Sequence, residues 1–141
     1  MLLDSKQIQE IIPHRYPFLL VDRIIDLHPG KTAIGEKDVR SDDFYFPGHF
    51  PDDPVMPGVL ILESLAQTGA ITLLSVPENK GKSVYFAGIR HAKFRRKVIP
   101  GDILRLEVEL TRANGKFGVG VSKAYVGEAL ACEAEFTFTY F

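Results

Sequence analysis

The sequence predicts an α+β fold in which one antiparallel sheet wraps around one long helix, and three observations carry that expectation. The run from Val59 to Leu74 contains no proline and places apolar residues on nearly every face, the pattern of a helix buried all round. Downstream of it, β-branched and aromatic runs are separated only by turn pairs, so strands follow one another to the end. At 141 residues the chain has room for one substantial core and not for two, so helix and strands must share it and residues 1–141 read as a single domain.

Asp4 with Gln7 three positions on makes a capping-box pattern, and Ile8, Ile11 and Ile12 form the apolar stripe of a first short helix. Pro13 stops it. Residues 18–27 read as a strand, Pro29-Gly30 as a turn, and 32–39 as the returning strand of a hairpin whose inner face the long helix covers. From Phe46 to Pro57 four prolines fix φ and remove donors, so the chain there is a stiff loop. Pro57 suits the first helical position, where a missing N–H costs nothing. After a polar connection at 77–82, the turn pairs Pro100-Gly101-Asp102, Asn114-Gly115 and Gly127-Glu128 divide the remaining strands. Between them Leu104, Leu106, Val108 and Leu110 alternate with Arg105, Glu107, Glu109 and Thr111, as one buried face requires.

Composition narrows the function classes. Hydrophobic residues at 45% and charged residues at 25% are globular averages, and a net charge of −1 lacks the basic excess of a nucleic-acid binder. The apolar helix is too short for a membrane span, which needs about 20 residues, and it carries Glu63 and Gln67. One cysteine, Cys132, shares an alternation with Leu130, Ala134, Phe136 and Phe138 and so reads as a small core hydrophobe, not a nucleophile. A lone cysteine and no opening signal-peptide pattern favour the cytoplasm.

The chemistry-bearing side chains cluster where the stiff loop meets the helix. Glu63 sits inside an apolar helix with Gln67 four residues on, hence on the same face. A carboxylate among Leu60, Leu62 and Leu65 must find a partner or take up a proton. His49, in the loop just ahead, is the candidate for the other half of an acid–base pair. The helix start at Gly58 offers free N–H groups, reinforced by the helix dipole, to an oxygen that gains negative charge, and a glycine there lets a ligand approach. Phe50, Gly58 and Gln67 are the candidates for touching substrate. No metal and no organic cofactor is needed for this chemistry.

The run GHFPDDPVMPGVLILESLAQ, with PHRYPFLLVDR upstream at 13–23 and FAGIRHAKFRRKVIPGD downstream at 86–102, resembles the beta-hydroxyacyl-[acyl-carrier-protein] dehydratases of bacterial fatty acid synthesis over nearly the whole chain. The resemblance implies a hotdog fold, His49 and Glu63 as the catalytic pair, and Gly58 as the glycine whose amide binds the thioester carbonyl. It further implies a homodimer in which His49 of one subunit faces Glu63 of the other, with dimers assembled into a trimer of dimers. The neutral imidazole suits the base that takes the Cα proton, and Glu63 suits the acid that protonates the departing hydroxide; Glu63 orienting a water is the alternative. Competing functions are a bifunctional dehydratase/isomerase, an acyl thioesterase and a non-catalytic acyl-binding domain. In the basic run 90–97, Lys93, Arg95 and Lys97 alternate onto one strand face and Arg96 takes the other. That run reads either as a solvated strand edge or as a dock for acidic acyl carrier protein. It departs from the family at Arg90-His91, where an acidic residue is usual, and at Lys97, where proline is common.

Overall fold

In the computed structural model, which describes Met1–Phe141, the capping box forms as expected: Asp4 accepts from the Gln7 amide at 2.9 Å and the Gln7 side chain accepts from the Asp4 amide at 2.9 Å. The helix it starts, α1 (Ser5–Gln9), is short. Its stripe continues through a turn to the buried Ile12, and the Arg15 guanidinium collects the carbonyls of Gln9, Ile12 and His14 that the stop before Pro13 leaves without partners.

Six strands follow: β1 (Arg23–His28), β2 (Thr32–Asp38), β3 (Val84–Phe94), β4 (Ile103–Ala113), β5 (Phe117–Val126) and β6 (Ala129–Tyr140). They form one antiparallel sheet in the order β1-β2-β4-β5-β6-β3, and α2 (Gly58–Leu74) lies against its β2, β4, β5 and β6 strands. This is the hotdog arrangement. Leu104, Leu106, Val108 and Leu110 of β4 face the helix and are buried. Leu65, Ile71 and Leu73 answer from α2, each contributing about 1.5–3 kcal/mol by its burial. Close approach is possible where β2 carries Gly35, since a Cβ there would crowd Thr68 Oγ1 at 3.3 Å. The buried hydroxyls of Ser64, Thr68 and Thr72 donate to the carbonyls four residues back, which removes the cost of hiding them.

Several boundaries differ from the sequence reading. The first strand begins at Arg23 and not at residue 18, because Phe18 and Leu20 give their backbone groups to the Gln67 side chain instead of a ladder. Pro57 is the residue before the helix, with extended ψ, and not its first turn. Nor is α2 buried all round: Val59 is 69% exposed, and Glu63 and Ala66 are half-buried on the same stripe. Within the stiff loop, Phe46–Gly48 takes one short 3₁₀ turn. The basic run does not alternate to its end, because β3 stops at Phe94 and Arg95, Arg96 and Lys97 lie beyond it. No helix is long and apolar enough to cross a membrane.

Cys132 is fully buried in β6, and burial pushes its thiol up to about 11. At that value the native thiol holds about 100-fold less thiolate at a given pH than an exposed one. Alkylation by iodoacetamide at pH 8, followed by mass spectrometry, should therefore be at least about 100-fold slower in the native protein than in urea. Comparable rates in the two would contradict the core placement.

Candidate active site

Glu63 projects from the open stripe of α2 into a cavity of about 380 Å³, a size typical of sites for small apolar ligands. Pro13, His14, Phe18, Ala66 and Gln67 surround the carboxylate end, and Phe86, Phe136 and Phe138 line the apolar depth. Gln67 holds the carboxylate in place. Its Nε2 donates to Glu63 Oε2 at 2.9 Å and to the Phe18 carbonyl at 2.8 Å, while its Oε1 accepts from the Leu20 amide at 2.8 Å. Both amide protons are spent, so Gln67, 1% exposed, orients Glu63 and lines the cavity without a free amide proton.

A residue that residue-by-residue reasoning passed over completes this cluster. His14 Nε2 lies 3.6 Å from Glu63 Oε2, an ion-pair distance when the imidazole is protonated, and its Nδ1 is buried with no partner in the chain. The available signal was its place beside Pro13 in the upstream motif. Pro13 follows the turn that closes α1, and the next residue comes back over α2.

His49 is elsewhere. Its Nδ1 lies 2.7 Å from the Val55 carbonyl, which fixes that nitrogen as the protonated one and leaves Nε2 as the free acceptor. The ring stacks on Phe50 with centroids 4.2 Å apart, and the His49–Phe50 peptide is cis. Phe50 is half exposed. His49 does not line the Glu63 cavity, so within one chain the acid–base pair expected from the sequence is not assembled. The loop that carries it is anchored at its base, where Asp43 accepts from the Tyr45 hydroxyl at 2.8 Å and the Arg40 amide at 3.1 Å, and pairs with the buried Lys37 at 3.4 Å. Burial, with Asp43 adding to it, pushes the Tyr45 hydroxyl far above its usual range and keeps it a donor.

At the helix start, the N–H groups of Gly58 and Val59 meet no acceptor in the chain, as an anion-stabilising site needs. The glycine makes room for a neighbour: a Cβ at Gly58 would lie 2.6 Å from Cε1 of Phe94, so the ring of that β3 residue rests directly on it. The basic run is partly self-neutralised. Arg95 pairs with Glu133, Arg90 with Glu135 and Lys97 with Asp53, whereas Lys93 and Arg96 have no acidic partner. The Arg95 guanidinium, bonding to Glu133, holds that carboxyl below the usual range. No cluster of three His, Cys, Asp or Glu side chains is placed to hold a metal ion.

Comparison with known proteins fits this geometry. The family model described as "FabA-like domain" matches residues 12–135. The "3-hydroxyacyl-[acyl-carrier-protein] dehydratase FabZ" of Clostridium botulinum (strain Kyoto / Type A2) is 57% identical over 136 residues, which cover 96% of this chain and 94% of the relative. The chain belongs to the FabZ family. A second FabZ, from Clostridium novyi (strain NT), is 57% identical over 138 residues, covering 98% of this chain and 97% of its own. Among solved structures, "The Dehydratase Heterocomplex ApeI:P from Xenorhabdus doucetiae" superposes with a TM-score of 0.80 over 94% of this chain and 89% of that one. At 16% identity it speaks for the fold alone.

Replacing Gln67 by Leu should test the clamp that this FabZ-family site depends on. The change leaves a buried amide N–H and a carbonyl unpaired, each at a cost of about 1–3 kcal/mol. Chemical denaturation should register a loss of about 2–5 kcal/mol. A loss below about 0.5 kcal/mol, the range of ordinary surface substitutions, would mean the clamp holds nothing.

Proposed function

We propose that Glu63 of one subunit and His49 of the partner subunit together remove water from a 3-hydroxyacyl thioester carried by acyl carrier protein. FabZ relatives are named for this reaction, and the chain is a hydro-lyase of their family. The observation that carries the two-subunit reading is that Glu63 is clamped at the mouth of an apolar cavity from which the chain's own His49 is absent. A second copy has an obvious place to dock. Strand β3 is an edge strand, and Tyr85, Phe86, Ile89 and Phe94 on it are exposed. An unpaired apolar edge is a template for another strand. The resemblance to the family extends this pairing to three dimers.

In the reaction, the acyl chain lies in the cavity with its thioester carbonyl at the free N–H groups of Gly58 and Val59. Unprotonated Nε2 of His49 takes the Cα proton, and the electron pair of that bond moves towards the carbonyl, whose oxygen gains charge beside the two amides. As the Cα–Cβ double bond forms, the bond from Cβ to the hydroxyl breaks, and protonated Glu63 delivers its proton to the leaving oxygen. The products are a trans-2-enoyl thioester and water. Return of the proton from His49 to Glu63, directly or through solvent, resets the site. Gln67, through its hydrogen bond to Oε2, holds the Glu63 side chain at the cavity. The thioester survives, which separates this reaction from hydrolysis by a thioesterase. The cytoplasm, with its reduced thiols, is the compartment we assign to a chain whose one cysteine is free and buried.

Mixing two inactive variants tests the shared site. Glu63→Gln and His49→Ala chains should each lose about 10²-fold or more in kcat, the usual contribution of a positioned acid or base. Denatured and refolded together, they should recover up to about a quarter of wild-type activity, since half the dimers are mixed and each of those holds one intact site. Identification of the enoyl thioester and water by mass spectrometry excludes thiol release. No recovery from mixtures shown to contain mixed dimers would place both groups in one chain.

Carrier docking is assigned to the unpaired cations Lys93 and Arg96, with the paired Arg95 and Lys97 at the margin. Charge reversal at Lys93 and Arg96 should raise KM about tenfold for carrier-bound substrate and leave a small thioester mimic unaffected. Salt should shrink the difference, because exposed charges are screened over about 10 Å at 0.1 M. Equal effects on both substrates would return the run to a solvated strand edge.

A further inference from the structure

The depth of the Glu63 cavity depends on two glycines that do not line it. In the sheet, β6 lies between β5 and β3. Phe136 and Phe138 of β6 pair with Gly120 and Gly118 of β5 on one side, and with Ile89 and Phe86 of β3 on the other. Both rings are buried on the helix-facing side. A Cβ built on Gly120 would lie 2.8 Å from Cε2 and 3.0 Å from Cζ of Phe136, and one on Gly118 would overlap the Phe138 ring. Each ring therefore leans across its glycine, over β5. The space they vacate lies on the opposite side, between β3 and α2, and that space is the cavity: its walls are Ser83, Val84–Phe86 of β3, Ala66, Gly69 and Ala70 of α2, and the two rings, with nothing from β5.

We propose that Gly118 and Gly120 set the acyl chain length the enzyme accepts, by parking Phe138 and Phe136 away from the channel. The proposal rests on the reading that the cavity receives the acyl chain. A methyl group at Gly120 leaves Phe136 one direction in which to move. Towards β5 it meets the new Cβ. Towards β3 it already meets the Phe86 ring edge to face, with centroids 5.5 Å apart. On the third side is the open cavity, where a Cβ added to its lining residue Gly69 would still stand 3.5 Å from Cζ, about a methyl group's room. The ring swings there and shortens the channel while Glu63 and the helix start stay where they are. Gly120 is the cleaner position to test, since a Cβ at Gly118 would also press the Arg112 carbonyl at 2.8 Å, a backbone atom that cannot rotate aside.

The experiment measures kcat/KM for 3-hydroxyacyl thioesters on acyl carrier protein, from butanoyl through hexadecanoyl, with wild type, Gly120→Ala, Phe136→Leu and the double variant. Gly120→Ala should keep butanoyl turnover within about threefold and lose about tenfold or more on the longest chain that wild type accepts, as methylenes lose their apolar wall. Adding Phe136→Leu should restore the long chains, and Phe136→Leu alone should shift the optimum to longer ones. A folded Gly120→Ala that loses all lengths equally, or a double variant that recovers none, overturns the proposal. If Gly120→Ala fails to fold, Phe136→Leu decides alone, and an unshifted optimum overturns it. Wild type inactive at every length would instead sink the dehydratase reading itself, an outcome distinct from the others.

Discussion

The side-chain amide of Gln67 is the contact on which the candidate site depends. It is a polar group sealed inside a helix–sheet interface, and its three hydrogen bonds join pieces of chain far apart in sequence: Phe18 and Leu20 from the segment after α1, and Glu63 on its own helix. A buried amide must be satisfied, and satisfying it draws the 18–20 segment onto α2 and out of the β1 ladder. The same clamp brings Pro13, His14 and Phe18 over the cavity mouth and orients the carboxylate. One structural demand, that no buried donor or acceptor go without a partner, thus produces both the shape of the mouth and the orientation of its acid.

What could be read in advance was what short-range rules govern. The alternation in 103–112, the capping box at Asp4 and the turn glycines concern neighbours in sequence, and they are found where the residue types put them; Gly101, Gly115 and Gly127 all take positive φ. No strand starts at residue 18: a β-branched, apolar run cannot reveal that a glutamine 47 residues away takes its backbone groups. The burial of α2 on every side was overstated for a related reason. Composition reports how apolar a helix is, but not that the stripe at Val59, Glu63 and Ala66 faces open space.

The candidate site was legible by residue type and only partly by arrangement. Glu63 beside Gln67 follows from helical spacing, which is geometry the sequence carries. The place of His49 does not, since a proline-stiffened loop has a definite shape that no periodicity describes. Its hydrogen bond to Val55 spans the loop and fixes the ring where it does not line its own chain's cavity. His14 stayed hidden because a histidine after a helix-stopping proline looks like any surface residue until the chain is folded back. The charges of the 90–97 run were visible, but their partners were not: Glu133 and Glu135 come from β6 and Asp53 from the loop, so the net positive patch shrinks to Lys93 and Arg96.

Strand β3 ties these parts together. Its last ring, Phe94, rests on Gly58, whose amide stands at the proposed oxygen site; Lys93 beside it is one of the two unpaired cations; and at its other end Val84 to Phe86 form a cavity wall. Yet β3 is the edge of the sheet, held on one side only by β6 through a register interrupted twice. An edge strand supported on one side is the element most readily displaced. Pairing with a second copy would therefore do more than bring His49 to Glu63: it would fix the ring against Gly58, the wall of the cavity and the cation that meets the carrier. In the proposed dimer, assembly and catalysis are coupled through one strand, and a monomer would lack a rigid site as well as its base.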